Sequence, residues 1–335
     1  IYDECHHLSA EVFSNVMIRI HTNYVLGLSG TMTRKDGLSK VFKYFIGPVV
    51  HKEKTDLTTQ VLIKSILFEV PWYLNYFWGL LLISLLVWGL ELLFPWRKQQ
   101  GVFREEFGLD AFYMFFNFFL FALVINGVFG GLQLFFQKLG ITLTSLTLFE
   151  IKNWAFGVQL FVFFVLLDFL QWLTHILLHK IPFLWKFHQV HHSVKEMGFA
   201  AHFRYHWMEN VLYKPFKTLG VMVLGGFEPD QAYLVHFFAI LIGHLNHANV
   251  KISWGPLKYI LNNPIMHLYH HAYALPKGKF GVNFGISLSL WDYLFKTHYV
   301  PEASGTIKLG FPKEEQMPKG FLKQALHGFK NFSKP

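Results

Sequence analysis

Three long apolar runs dominate the pattern of hydrophobic and polar positions along the chain. They cover residues 72–94, 111–136 and 154–178. Each run is long enough for a helix to cross a bilayer, which takes about 20 consecutive apolar residues. Few charges interrupt them: Glu91 lies near the end of the first run, and Asp168 lies in the third. The pattern therefore predicts an all-α integral membrane helical bundle.

The remaining pattern predicts shorter elements around this bundle. Glycines in the second run predict a kink or break between residues 126 and 131. Two weaker apolar stretches, 211–227 and 231–245, predict a short hairpin or re-entrant pair. Residues 256–300 mix loops with short helices, and residues 301–335 are a polar tail that carries proline and lysine.

The first 65 residues differ in character from the rest of the chain. They mix polar and apolar positions, contain short strand-like stretches such as "NYVLGLSG", and carry no long apolar run. This pattern predicts a small α/β fragment. The chain begins at Ile1 without a methionine or a signal-peptide pattern, so we expect a fragment or an internal start.

Composition supports a membrane protein and narrows its chemistry. Of the 335 residues, 53% are hydrophobic and 19% aromatic, which exceeds the usual content of soluble domains. The net charge of +9 is spread among apolar segments, which favours contact with anionic lipid headgroups over nucleic acid. The single cysteine, Cys5, excludes an intramolecular disulfide and makes a thiolate metal site improbable.

Basic residues beside the apolar runs indicate an orientation, because cytoplasmic loops are enriched in lysine and arginine. The residues are Arg97, Lys98 and Arg104 after the first run, and Lys180, Lys186, Lys195, Arg204, Lys214 and Lys217 after the third. They predict a cytoplasmic, histidine-rich cap on the bundle. The side of the N-terminal segment stays open, because that segment carries lysines as well.

Histidine is the outlier in composition. Thirteen of the 19 histidines lie between His175 and His271. They form the clusters "HILLH" (His175, His179), "HQVHH" (His188, His191, His192), "HLNH" (His244, His247) and "HLYHH" (His267, His270, His271). Spacings of three and four residues place side chains on one face of a helix. Neutral imidazole is the commonest protein metal ligand, and ten histidines are too many for one ion. The clusters therefore predict a site for two metal ions.

Ligand type alone does not select the metal, because imidazole suits iron, zinc, copper and nickel. A single histidine near an apolar helix is ordinarily a satisfied polar residue, and this interpretation holds for His21, His51, His236, His298 and His327. Carboxylates are scarce around the clusters. Asp168 lies two helical turns before His175 and is a candidate for balancing the metal charge or for orienting a ligand histidine.

The combination "HILLH…FHQVHHS…RYH…NHAN…HLYHH…NFGISLSLWDYLF" resembles the fatty acid hydroxylase and sterol desaturase superfamily over residues 72–300. The resemblance implies a membrane-bound non-haem di-iron oxygenase. Such enzymes use O2 and electrons from an external donor to hydroxylate or desaturate C–H bonds of sterols, fatty acyl chains or related lipids. No electron-carrier segment is recognisable in the chain, so a separate electron-transfer protein is expected.

Site residues follow from the resemblance, motif by motif. The implied ligands are His175, His179, His188, His191, His192, His244, His247, His267, His270 and His271. His206 in "FRYH" matches a family position as a ligand or a supporting residue, and His202 has weaker support. Asn283 and Asp292 lie in the C-terminal signature and are expected to support the site. Zinc in place of the two irons is possible in a purified form.

The N-terminal segment resembles a different family. Asp3-Glu4-Cys5-His6 is similar to the Mg²⁺-binding motif of DEAD/DEAH-type helicases, and Ser29-Gly30-Thr31 stands where those proteins carry a second motif. The phosphate-binding loop G-x-x-x-x-G-K-[ST] does not occur in the chain, so nothing would cradle the nucleotide phosphates. The segment is therefore expected to be a truncated, non-functional piece.

The sequence divides into residues 1–65, an enzyme domain at 66–300 and a tail at 301–335. Three hypotheses for its function remain. The first is a di-iron lipid hydroxylase or desaturase. The second is a membrane protein that binds zinc for structure or hydrolysis. The third, a nucleic-acid-dependent ATPase in the N-terminal segment, is disfavoured by the missing phosphate loop, and no nucleic-acid partner is expected.

Overall fold

A computed structural model describes residues 76–140, 147–225, 229–301 and 307–329. The predicted α/β fragment at residues 1–65 lies outside these ranges. In the described part of the chain, helices account for nearly all regular structure. The strands are two-residue pieces, β1 (Phe149–Glu150) and β2 (Leu224–Gly225), which pair in parallel. The prediction of an all-α bundle is confirmed.

Three apolar helices are long enough to cross a membrane. They are α1 (Tyr76–Leu93), a composite helix over Phe107–Lys138, and α4 (Phe156–Lys180), with mean hydropathies of 1.9 to 2.0. They match the three apolar runs of the sequence to within a few residues. Large side chains such as Leu82 and Leu123 remain more than 60% exposed, which is the expected state of a surface that faces lipid.

The composite helix contains a π-helical turn that the sequence pattern does not predict. It consists of α2 (Phe107–Phe115), the π-helical turn Phe116–Leu120 and α3 (Phe121–Lys138). The predicted break between residues 126 and 131 is wrong, because α3 continues through them. Membrane helices accept glycine more readily than soluble helices do. The irregularity lies instead where Asn117 is buried.

Asn117 explains the position of the π-helical turn. Its side-chain amide donates hydrogen bonds to the carbonyl oxygens of Phe203 and Tyr205, both at 2.9 Å. A π-helical turn adds one residue to the helix and so changes which side chain faces inward. The second apolar helix is thereby tied to the loop that leads into α6 (Trp207–Val223).

Shorter helices build the cap over the end of the bundle. They are α5 (Pro182–His192), α6, α7 (Pro229–His247), α8 (Pro264–His270), α9 (Leu290–Leu294) and α10 (Phe321–Ala325), with 3₁₀ turns at Phe199–Phe203, Gly255–Tyr259 and Glu314–Gln316. Helices α6 and α7 correspond to the two weaker apolar stretches. Both pack against α4, and α7 also packs against α1.

The two helices with the HxxHH motif begin in the same way. Pro182 opens α5 and Pro264 opens α8, at the position where a missing N–H costs no helical hydrogen bond. In α8, the Asn263 side chain also accepts a hydrogen bond from the backbone N–H of Met266 at 3.0 Å. Such capping fixes where a short helix starts and thus which way its histidines point.

A buried ion network holds the loop between α5 and α6. The Arg204 guanidinium contacts the Glu106 carboxylate at 2.7 Å and the Asp110 carboxylate at 3.1 Å. Asp110 also accepts a hydrogen bond from Arg104 at 2.8 Å. Arg204, Asp110 and Arg104 are all buried, so each charge has a partner of opposite sign. The network fixes this loop against α2.

The C-terminal segment packs onto the cap. The backbone N–H of Gly310 donates to the His271 carbonyl oxygen at 3.0 Å. The backbone N–H of Tyr273 donates to the Lys308 carbonyl oxygen at 2.8 Å. Further along, Phe321 in α10 contacts the rings of Phe112 and Phe116, with centroid distances of 4.7 and 4.6 Å. Residues 307–329 are therefore an integral part of the folded cap.

Candidate metal centre

Nine buried histidines form two adjacent groups whose ring nitrogens converge, within 4.8 Å of one another in each group. Group A consists of His175, His179, His188, His192 and His270. Group B consists of His191, His247, His267 and His271. The groups share a border, since the rings of His192 and His271 stack with centroids 4.3 Å apart.

Each HxxHH motif supplies both groups. In α5, His188 and His192 belong to group A and His191 to group B. The motif at α8 is reversed: it places His267 and His271 in group B and His270 in group A. The first and last histidines of the motif are four residues apart and lie on one side of the helix. The histidine between them, three residues after the first, projects to the neighbouring side. The spacing thus serves two adjacent sites from one helix.

The helix ends favour a cation at this place. Members of both groups lie in the last turns of four helices, namely His179 in α4, His191 and His192 in α5, His247 in α7, and His267 and His270 in α8. The C-terminal end of a helix carries partial negative charge on its free carbonyl groups. Four such ends surround the cluster and offset part of the positive charge that it would hold.

In group A, the outward nitrogen of several imidazoles is fixed by a hydrogen bond. Nδ1 of His175 donates to the Phe284 carbonyl oxygen at 2.8 Å, and Nδ1 of His270 donates to that of Val282 at 2.7 Å. Nδ1 of His188 lies 3.0 Å from the Glu209 carboxylate. Carbonyl oxygens only accept, so Nδ1 carries the proton in His175 and His270, and it does so in His188 when Glu209 is ionised.

In group B, two imidazoles are likewise fixed by a hydrogen bond from Nδ1 to a backbone carbonyl oxygen. Nδ1 of His191 donates to the Arg204 carbonyl oxygen at 3.0 Å, and Nδ1 of His247 donates to the Gly243 carbonyl oxygen at 2.8 Å. The Arg204 carbonyl belongs to the loop that the buried ion network holds. This hydrogen bond therefore connects the network to the site.

With Glu209 ionised, the inward Nε2 atoms of these pairs face each other without a proton between them. Nε2 of His175 and His188 are 3.1 Å apart, and Nε2 of His191 and His247 are 3.3 Å apart. Two lone pairs at such distances repel unless a cation lies between them. Nitrogens bound to one ion at about 2.0–2.1 Å lie about 3.0–3.4 Å apart, which matches both separations.

Further buried nitrogens have no hydrogen-bond partner in the described part of the chain. They are Nε2 of His179, His192 and His270, and Nδ1 of His267 and His271. Buried polar atoms without partners are rare in native proteins, because each costs about 1–3 kcal/mol. Metal coordination would satisfy the three Nε2 atoms of group A at once. The residues present therefore fit a metal in both groups.

Burial also sets the protonation states around the site. It lowers the pKa of His191 to about 3, so this imidazole is neutral and available as a ligand at neutral pH. Burial raises the pKa of Glu209 to about 8 in the absence of a metal. A bound cation next to His188 would favour the ionised carboxylate, which would balance part of the metal charge.

Two predicted histidines lie outside both groups. His244 is buried, but its Nδ1 contacts Nδ1 of His202 at 2.8 Å and its Nε2 contacts the Ser84 hydroxyl at 3.1 Å. His206 faces the C-terminal segment, where its Nε2 donates to the Ala325 carbonyl oxygen at 2.9 Å. The structure thus joins nine of the ten histidines expected as ligands.

The predicted carboxylates support a loop rather than a histidine. Asp168 accepts hydrogen bonds from the backbone N–H groups of Ser287 and Leu288 and from the Trp291 indole, at 2.9 to 3.2 Å. Its expected contact with a ligand histidine does not occur. Its lone pairs are taken by these donors, which come from the loop before α9 and from α9 itself.

Asp292 and Asn283 hold the other end of this loop. Asp292 accepts hydrogen bonds from the backbone N–H groups of Phe284 and Gly285 at 2.9 and 2.7 Å. Asn283 has a φ of 52° and donates to the carbonyl oxygens of Met266 and Tyr299 at 2.8 and 2.7 Å. Phe284 supplies the carbonyl oxygen that fixes His175. Asp292 and Asn283 therefore act on the histidine cluster indirectly, by holding the loop that carries Phe284.

Glu209 is the main residue that sequence reasoning missed. It lies in the first turn of α6 and is the carboxylate that contacts a member of either group among the described residues. The sequence showed it as one of few acidic residues near the clusters. No spacing rule links it to His188, which lies 21 positions earlier, because their contact depends on how α5 and α6 pack.

Comparison with known proteins agrees with this geometry. The model of the fatty acid hydroxylase family matches residues 160–297, which include both histidine groups. Residues 160–297, here named the hydroxylase domain, are thus the part of this chain that is similar to the fatty acid hydroxylase family. The domain extends from the second turn of α4 to the segment after α9 and contains the loop that Asp168 and Asp292 hold.

Two curated relatives are named as a hydroxylase and a monooxygenase. Ornithine lipid hydroxylase OlsE of Rhizobium tropici is 30% identical over 177 residues, which is 53% of this chain and 52% of the relative. Alkylglycerol monooxygenase of Homo sapiens is 31% identical over 138 residues, or 40% of this chain and 29% of the relative. The chain thus spans about half the length of the first relative and less of the second. No solved structure matches the chain.

The helicase-like stretch has a separate, partial match. A protein of Acanthamoeba polyphaga mimivirus, named for ATP-dependent RNA helicases, is 37% identical over 69 residues. The match covers 21% of this chain and 13% of that protein. This match concerns the helicase-like stretch and adds nothing to the metal centre.

Proposed function

We propose that this chain is a membrane-bound non-haem di-iron oxygenase that hydroxylates or desaturates a lipid with O2 and external electrons. The observation that carries the proposal is the pair of opposed Nε2 contacts, one in each histidine group. Each contact places two unprotonated nitrogens at the spacing of ligands on one ion. Two groups therefore support two ions, held side by side.

Iron is the metal that is consistent both with imidazole ligands and with the activities that the relatives' names state. Imidazole binds iron, and hydroxylase and monooxygenase are the activities that the relatives' names state. Bound iron would supply O2 reduction with two external electrons, which places one oxygen atom in a C–H bond and releases the other as water in a hydroxylation. Zinc has no redox chemistry and would not support this reaction.

The chain's own residues would bind, orient and shield the metals. The nine histidines supply Nε2 or Nδ1 as ligands, and the carbonyl oxygens of Phe284, Val282 and Arg204 keep imidazole protons pointing outward. Half-buried Trp185 lies against His179 and His192, with centroid distances of 4.9 and 5.2 Å. Its indole covers group A and limits access of water.

A lipid substrate and a cytoplasmic site complete the proposal. The exposed apolar surfaces of α1, α3 and α4 favour contact with the bilayer, from which a hydrophobic substrate would enter. Basic residues after the first and third apolar helices, such as Lys98 and Lys195, favour a cytoplasmic cap. A separate soluble or membrane-bound donor would then deliver electrons from the aqueous side.

We assign this activity to residues 66–300 and the supporting roles to particular side chains. Asp168, Asn283 and Asp292 position the loop that fixes His175, whereas His206 fastens the C-terminal segment. Residues 1–65 receive no role in the reaction and no nucleic-acid partner.

Oxygen uptake by the purified, iron-loaded chain in lipid vesicles tests the proposal. We expect uptake that requires both a reductant and lipid, with an ¹⁸O atom from ¹⁸O2 in a hydroxylated product or a new double bond. Stoichiometric zinc in the freshly purified protein, together with no reductant-dependent uptake after iron loading, would contradict the oxygenase and favour the zinc-binding alternative.

A further inference from the structure

A second pair of histidines lies directly beside group B. Nδ1 of His202 and Nδ1 of His244 are 2.8 Å apart, and neither ring belongs to group A or B. His202 lies in the 3₁₀ turn Phe199–Phe203, and His244 lies in the last turn of α7. Two imidazoles this close must share one proton between their Nδ1 atoms.

The hydrogen-bond chain behind this pair indicates which nitrogen of His202 is free. The Ser84 hydroxyl donates to the Met114 sulfur at 3.7 Å and lies 3.1 Å from Nε2 of His244. In the arrangement that directs the Ser84 proton at the sulfur, the Ser84 oxygen accepts from Nε2–H of His244. Nδ1 of His244 then accepts from Nδ1–H of His202. Nε2 of His202 is left with a lone pair, as in the ligand histidines.

Gly243 creates the space that His202 occupies. A Cβ atom at position 243 would lie 2.3 Å from both Cε1 and Nε2 of His202. Gly243 is one helical turn before His247 and on the same face of α7. Because Gly243 has no side chain, His202 can approach α7 close to His247.

Ring spacing places His202 beside His247, one member of group B. Its centroid is 5.2 Å from that of His247. Within group B, His247 lies 4.2 Å from His267 and 5.5 Å from His271. Group B offers four imidazoles where group A offers five.

We propose that His202 is the fifth imidazole ligand of group B, held in place by His244 and Ser84. The inference rests on the proposed two-metal site and adds a ligand that lies outside the HxxHH motifs. His244, expected from sequence to bind metal, acts instead as a positioning residue behind His202. Gly243 is the residue that permits this arrangement.

Mössbauer spectra of the full-length protein loaded with ⁵⁷Fe test the assignment. The wild-type chain should show two inequivalent iron sites of equal area, one for each group. In His202→Ala, we expect one of the two signals to change while the other is preserved, and the affinity of that one site to fall by at least about 10–100-fold. Two signals that superimpose on those of the wild type would overturn the proposal.

Two further variants separate ligation from general damage. Gly243→Ala should displace the His202 ring and change the same signal as His202→Ala. His244→Gln should shift that signal less, because the ligand stays but its hydrogen bond changes. His236→Gln is the matched control on α7: its ring stacks on Phe118 and belongs to neither group, so the spectrum should not change.

Failure of this inference differs from failure of the proposed function. A wild-type chain that does not bind two irons contradicts the di-iron proposal itself. A wild-type chain with two irons and a His202→Ala spectrum identical to it contradicts only the role of His202.

Discussion

At the scale of single residues, the centre depends on which imidazole nitrogen carries the proton. Backbone carbonyl oxygens fix Nδ1–H in His175, His191, His247 and His270, and the Glu209 carboxylate does so in His188. Each of these bonds orients a ring and raises its basicity toward a metal. Glu209 differs from the carbonyl groups because it also carries charge.

Replacing Glu209 with glutamine tests this difference. The amide would have to accept from both His188 Nδ1 and the backbone N–H of His206, which the two carboxylate oxygens now do at 3.0 and 3.3 Å. We expect the dissociation constant of the group A metal to rise by about 10–100-fold in Glu209→Gln. Chelator competition measures it. Exposed Glu315 provides the control, and equal affinities in the two variants would argue against the role of Glu209.

The sequence predicts which histidines can bind metal better than it predicts which residues orient them. The HxxHH spacing indicates that His188, His191 and His192 share a helix face, because this is local helix geometry. The same reasoning pairs His244 with His247, yet the structure turns His244 away toward Ser84. Which of two neighbouring imidazoles reaches a metal depends on packing between helices that are distant in sequence.

At the scale of secondary-structure elements, apolar runs predict the long helices but not their irregularities. Three spans follow from length and hydropathy alone. The π-helical turn Phe116–Leu120 has no such signal, since it serves the contacts of Asn117 with the loop before α6. Residues 126–131 illustrate the converse error, because glycine breaks soluble helices more readily than membrane helices.

Helix α10 offers a test of how the C-terminal segment contributes. The half-buried Phe321 ring packs between Phe112 and Phe116, whereas Leu322 beside it is 76% exposed. Phe321→Ala should lower the free energy of unfolding by about 1–3 kcal/mol, less than for a fully buried phenylalanine. Leu322→Ala is the matched control and should have little effect. Equal thermal shifts in the two variants would show that α10 does not stabilise the cap.

At the scale of the whole molecule, a cluster of neutral imidazoles makes stability depend on pH. Burial lowers the pKa of His191 from 6.5 to about 3, and it lowers the pKa values of His188, His192, His267, His270 and His271 as well. The unfolded chain therefore binds more protons than the folded chain below pH 6.5. The resulting stability is present above that pH and is lost as pH falls toward 3.

Thermal unfolding of the metal-free protein in detergent measures this dependence. We expect the midpoint to fall steadily between neutral pH and about pH 5, because several depressed imidazoles add their effects. A variant with His191→Gln and His267→Gln should show a shallower decline, since two of these groups are gone. A midpoint independent of pH over this range would contradict the neutral, buried state of the cluster.

Metal content per chain tests the central claim most directly, because the two histidine groups are assigned one ion each. The wild-type protein should bind two ions. His270→Ala removes a ligand from group A and His191→Ala removes one from group B, so each variant should retain one ion when equilibrated with a competing chelator. Two ions retained in both variants, or a single ion in the wild type, would contradict the two-metal centre.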